Sequence, residues 1–212
     1  MQLATRAAAV CAATAAVVAV AAPAAAGPDR RGPDRTPRPY GIEVLDLRGS
    51  GCADDTATVS LSNDNLALTV VYGDYSVELA AGQRRARKDC HISLRVRSPR
   101  GTQYAISSVD QRGFADLAGP VRGRFTADYH YARGRTVYRT ARNFAPPVTD
   151  IWQDTASDLR YSRCGEDRPL HLDSSIELWG RGSDAATSFL AIDTTDADAA
   201  ATTFGLRWRH CR

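Results

Sequence analysis

"CHISLRVR", Cys90 to Arg97, is the stretch that decides the fold. Cys90, Ile92, Leu94 and Val96 fall on one side of a period of two, and His91, Ser93, Arg95 and Arg97 on the other. Successive side chains of an extended backbone point to opposite faces, so this is a strand with one dry and one wet side. The pattern recurs in "LHLDSSIEL" (170–178), with Leu170, Leu172, Ile176 and Leu178 inward, and in "FTADYHY" (125–131), with Phe125, Ala127, Tyr129 and Tyr131 inward. It recurs again in "TFGLRWRHC" (203–211), with Phe204, Leu206 and Trp208 inward. Further strands are expected at 42–47, 56–61, 66–72, 104–109, 137–142 and 188–192. Turn-forming clusters stand between them: "SNDN" at 62–65, "SPRG" at 98–101, "ARG" at 132–134, "APP" at 145–147 and "DTTDAD" at 193–198. No window carries a long helical period with caps. Many short alternating strands predict an all-β fold, a single-domain antiparallel β-sandwich that is jelly-roll-like.

Before this region the composition changes twice. Arg6, an Ala/Val run over 7–22 and the small residues Ala24 and Ala26 read as a signal peptide (1–26) cut after Ala26. The run is too weakly apolar for a membrane span, and none is expected in the mature form. Residues 27–39, "GPDRRGPDRTPRP", hold no large apolar side chain and read as a flexible Pro/Arg-rich leader, which places the sandwich at 40–212. A formal charge of +3 is too small to imply nucleic acid as a partner.

Cys11 falls inside the signal segment, leaving Cys52, Cys90, Cys164 and Cys211. An even number in an exported chain implies two disulfides, with three connectivities open. Cys52 with Cys90 and Cys164 with Cys211 is the favoured pairing, because each bond then closes a moderate loop within one half of the chain. Each closure would stabilise by on the order of 4 kcal/mol.

Several segments taken together, "GSGC" (49–52), "VSLSNDNLALTVVYGDY" (59–75), "RKDCHISLRVRSPRGTQYAISSVDQRGFADL" (87–117), "SRCG" (162–165) and "LRWRHC" (206–211), resemble a family of small secreted bacterial and fungal proteins. That family is catalogued as domain of unknown function 4360. The resemblance implies export, disulfides and a β fold, and it carries no activity, substrate or site. The family pattern has an aromatic residue after the Asp of "DQRGF" and a tyrosine after its Gly, where this chain has Gln111 and Phe114.

Candidate chemistry is sparse. Ser50 lacks the strand-to-helix elbow that exposes a serine nucleophile, so "LRGSGC" reads as a glycine turn carrying half of a disulfide. His91, His130, His171 and His210 show no metal-ligand spacing, and oxidised cysteines cannot ligate, so they read as surface histidines. Asp193, Asp196 and Asp198 form a weak calcium candidate in a turn, and a solvated turn is the preferred reading. No cofactor is expected. Asp110, Asp128, Asp154, Asp173 and Glu177 are possible members of a glycosidase carboxylate pair, but such pairing is spatial. Asp110 and Arg112 read as an ion pair or turn cap beside Gly113. Arginines at 122, 124, 133, 135, 139 and 142 interleave with Tyr129, Tyr131 and Tyr138, a composition suited to stacking on sugars and pairing with acidic groups. Alternation sends Tyr129 and Tyr131 to the core. That leaves Tyr138, Arg139 and Arg142, with Asp110 and Arg112, as candidate surface-binding residues. The expected function is a secreted, non-catalytic binding or surface-associated structural protein, with a polysaccharide or cell-wall component as partner. The alternatives are an extracellular hydrolase acting on glycans and an exported protein inhibitor.

Overall fold

The computed structural model describes residues 40–53, 56–132, 135–157, 160–165, 169–182, 187–192 and 200–211. The expected signal peptide and leader, and the calcium candidates Asp193, Asp196 and Asp198, lie outside the described residues.

An antiparallel sheet of five strands runs in the order β1 (Gly41–Arg48), β5 (Arg85–Arg97), β11 (Leu170–Trp179), β7 (Arg122–Tyr131), β8 (Arg135–Phe144). The second sheet is built on β6 (Thr102–Leu117). On one flank β6 pairs β13 (Ala200–His210) and then β12 (Ser188–Ala191); on the other it pairs β10 (Arg160–Tyr161) and β9 (Val148–Ala156). Beyond β13 lie β3 (Ala67–Tyr72) and β2 (Ala57–Leu61), and beyond β12 lies β4 (Ser76–Leu79).

The inward rows anticipated from alternation make the core. Ile92, Leu94, Phe125, Tyr129, Leu170 and Ile176 from the first sheet meet Leu68, Val70, Ile106, Leu117, Leu190 and Phe204 from the second, all buried. This is the sandwich expected, since two half-apolar sheets bury their dry faces against each other. Cys52 bonds Cys90 with Cα atoms 5.3 Å apart, and Cys164 bonds Cys211 at 5.7 Å. In "LRGSGC", Gly49 takes φ of 120°, and a Cβ at Gly51 would fall 2.3 Å from the Tyr75 ring. Ser50 Oγ accepts the Asp89 amide at 3.2 Å, so its hydroxyl is used by the turn.

One expectation is corrected. Of the two readings of Asp110 and Arg112, the ion pair is present, at 3.9 Å, and the turn cap is not, because β6 runs 16 residues, straight through Gly113. A Cβ at Gly113 would lie 2.1 Å from the Ala191 carbonyl oxygen and 2.4 Å from the Trp152 ring. This glycine therefore serves the close approach of β12 and Trp152 to β6, a use of glycine that belongs inside a strand.

Candidate functional site

Register places an unusual row of side chains across the outer face of the five-stranded sheet. Arg48 on β1 faces His91 on β5, His91 faces Asp173 on β11, Asp173 faces Asp128 on β7, and Asp128 faces Arg139 on β8. Like charges directly opposite on neighbouring strands are destabilising unless compensated. Here the two carboxylates are held from both sides. Arg139 Nε donates to Asp128 Oδ2 at 3.1 Å, and His91 Nδ1 lies 3.0 Å from Asp173 Oδ1. His130 Nδ1 stands between them, 3.8 Å from Asp128 Oδ1 and 3.8 Å from Asp173 Oδ2. Both Asp128 Oδ1 and His130 Nδ1 are buried atoms without a hydrogen-bond partner among the described residues.

The adjacent row carries Ser93, His171 and His130. Ser93 Oγ is 2.9 Å from His171 Nδ1, and the His171 and His130 rings stack with centroids 5.0 Å apart. Burial, and then the neighbouring His130, hold the His171 imidazole below its ordinary pKa of 6.5. The two carboxylates lie at one end of an open cleft of about 390 Å³, whose lining includes Arg87, Arg124, Thr126 and Arg139. Ser175 and Thr126 hydroxyls, 2.8 Å apart, line its floor. Among the described residues no group of three or more His, Cys, Asp or Glu side chains is arranged to hold a metal ion.

The candidates read from sequence are distributed over three places. Asp128, Asp173 and Arg139 come together in the cleft row, and Glu177 lies further along β11, bonded to Arg85. Tyr138 is half-buried against the core, its ring 5.6 Å from Tyr129 and its hydroxyl donating to Asp154 Oδ2 at 2.6 Å. Burial and the Asp154 carboxylate push that phenol up to about 12. Tyr138 is therefore part of the join between β8 and β9 and not of a surface platform. Arg142 strengthens the same join by donating to the Gln153 carbonyl at 2.7 Å. Asp110 and Arg112 point outward from the other sheet, 3.9 Å apart, with Gln153 Nε2 donating to Asp110 at 2.7 Å.

Sequence reasoning missed the gathering of His91, His130 and His171, and it missed Arg87 as part of the cleft lining. Alternation assigns each to a wet face, yet only the pairing of β5, β11 and β7 makes them neighbours.

Comparison with known proteins adds four matches. Residues 40–211 match the domain of unknown function DUF4360. An "Uncharacterized secreted protein" of Arthroderma benhamiae is 26% identical over 183 residues, covering 82% of this chain and 74% of the relative. Among solved structures, TmCBM61 in complex with β-1,4-galactotriose aligns with a TM-score of 0.27 at 9% identity, covering 78% of this chain and 89% of that one. The CBM22-1 xylan-binding domain from Paenibacillus barcinonensis Xyn10C aligns with a TM-score of 0.24 at 13% identity, covering 80% and 96% respectively.

Proposed function

The chain belongs to the DUF4360 family, and from the geometry of its cleft we propose that it is an exported, non-catalytic domain that binds polysaccharide on the outer face of the five-stranded sheet. The observation that carries this reading is the facing pair Asp128 and Asp173, held by Arg139 and His91 at the end of an open cleft. A sugar hydroxyl both donates and accepts, so it suits a surface where carboxylate acceptors alternate with guanidinium and hydroxyl donors. A hydroxyl entering beside Asp128 Oδ1 and His130 Nδ1 would give both buried atoms a partner, removing the cost of leaving them unpaired. Export is supported by two disulfides, which persist in oxidising compartments, and by the composition of residues 1–26 as a signal peptide.

Hydrolysis of glycans is the second reading, favoured by two carboxylates on neighbouring strands. Against it, Asp128 and Asp173 are 35% and 32% exposed, and each is bonded to a basic side chain. An acid catalyst works best where water is excluded and its proton is retained.

The test is retention of the purified protein on a panel of immobilised polysaccharides, with reducing-sugar release measured in parallel. Asp173→Asn should weaken retention about ten-fold or more, the equivalent of one charge-assisted hydrogen bond, with the melting temperature little changed. Binding to no polymer refutes the proposal. Sugar release by the natural protein that disappears in Asp128→Asn establishes the hydrolase instead.

A further inference from the structure

Beyond the cleft, along β11, the outer face changes character. Trp179 is half-buried and lies in register between Arg85 on β5 and Arg122 on β7, and Glu177 in the next row lies between Arg87 and Arg124. The inward residues of this segment are Ile176 and Leu178, so Trp179 and Glu177 both belong to the outer face. Four guanidiniums therefore surround one indole and one carboxylate. That carboxylate is already engaged: Arg85 Nε is bonded to Glu177 Oε1, and Arg87 approaches Oε2 only to 3.9 Å. Arg122 and Arg124 have no ion-pair partner among the described residues, and both are exposed. The cluster runs into the cleft without a break, because Arg87 and Arg124 line it.

We infer that the ligand is an acidic polysaccharide, with a carboxylated sugar seated on Trp179 within the four arginines and a neutral sugar over Asp128 and Asp173. The inference rests on the polysaccharide reading and assigns its chemical class. An indole gives a flat apolar surface for a sugar ring, and guanidinium forks match a carboxylate in two-point geometry. At the other end two carboxylates accept hydroxyls and repel anions. Trp179 and Asp173 stand about 20 Å apart along the strand, so the two ends are met by different sugars of one chain. A nucleic acid fits this surface poorly, since its evenly spaced phosphates would also be driven against Asp128 and Asp173.

The test uses the whole purified protein in titration calorimetry at low and high salt. The probes are hyaluronate, which alternates carboxylated and neutral sugars, the neutral polymer dextran, and oligo-dT. Hyaluronate should bind at least about ten-fold more tightly than dextran, and the advantage should shrink as salt screens the arginines. The Arg85→Ala/Arg122→Ala pair, which flanks Trp179 and is not part of the cleft lining, should reduce hyaluronate to the dextran level and leave dextran unchanged; exposed substitutions of this kind rarely disturb folding, which far-ultraviolet circular dichroism checks. Hyaluronate should also change the indole emission of the natural protein, and Trp179→Phe should abolish that change. Equal affinity for hyaluronate and dextran, with both weakened by Asp173→Asn, overturns the acidic assignment and leaves the polysaccharide reading standing. An affinity for hyaluronate unaffected by the paired arginine substitution overturns it as well. Failure of hyaluronate to bind overturns the acidic assignment whether or not dextran binds, while the polysaccharide reading falls only when every polymer of the immobilised panel fails; tighter binding of oligo-dT than of hyaluronate replaces the ligand class.

Discussion

Replacing Gln111 by leucine tests whether the two sheets are joined by a polar network as well as by apolar packing. Gln111 is 1% exposed, and its amide spans the core. Its Nε2 donates to Asp154 Oδ2 at 3.1 Å, and its Oε1 accepts the Tyr129 hydroxyl at 2.9 Å. Burial drives the Tyr129 phenol well above its ordinary pKa, so it remains a donor that needs an acceptor. Leucine fills a similar space and offers neither group. The Tyr129 hydroxyl would be stranded, at about 1–3 kcal/mol, and Asp154, still held by Tyr138 at 2.6 Å, would lose one charge-assisted donor worth about 1.5 kcal/mol. The expected loss is about 3 kcal/mol, or roughly 6–12 °C in melting temperature for a domain of this size. Urea unfolding followed by circular dichroism measures it. The decisive comparison is the cycle with Tyr129→Phe, because removing both partners of a buried hydrogen bond costs less than the two single changes together. A loss below about 1 kcal/mol for Gln111→Leu, or strict additivity in the double variant, would refute the reasoning.

Two further outcomes follow from the disulfides and from His171. The Cys52→Ala/Cys90→Ala pair should lower unfolding stability by about 4 kcal/mol through the freed 38-residue loop, read from the urea midpoint; a loss near zero would show that the bond adds nothing to the turn's other ties. His171, held below its ordinary 6.5 by burial and by His130, takes up its proton less readily folded than unfolded. Its contribution is therefore complete above pH 6.5 and is lost as pH falls below that value toward the lowered native pKa. The urea midpoint of the natural protein should fall more steeply over this range than that of His171→Gln, and parallel pH profiles would sink the assignment.

The parts of the fold that sequence could show are the strands with one buried face. β5, β7, β11 and β13 each carry a mainly apolar alternate row, interrupted by Lys88, Ser174 and Thr202, because their inner side chains meet a second sheet and their outer ones meet water. β9 escaped notice for the opposite reason. In "VTDIWQDTA" Trp152 is buried while Ile151, its neighbour, is 49% exposed, so an edge strand wet on much of its surface leaves no period to read. Read from sequence, β6 ends at Val109, short of Gly113, which the structure places within the strand. That glycine's partners, the Ala191 carbonyl and the Trp152 ring, come from strands far away in sequence. Disulfide pairing, in contrast, needed only parity and loop length.

The site was visible as a set of residues and invisible as a place. Asp128 and Asp173 are separately nameable among many acidic residues, but nothing local says that they face each other. That relation is imposed by the core. β7 and β11 must align so that Tyr129 meets Leu172 and Phe125 meets Ile176 on the inner face, and the same register brings Asp128 opposite Asp173 on the outer face. A slip of one residue would turn the apolar row to solvent, so the apolar face fixes a juxtaposition that the carboxylates alone would oppose. The same alignment sets Trp179 between Arg85 and Arg122, at the end of β11 where the inner row finishes with Leu178. The burial energy of the inner row thus holds together an outer surface whose like charges resist assembly, and a ligand that satisfies those charges should stabilise the fold as it binds.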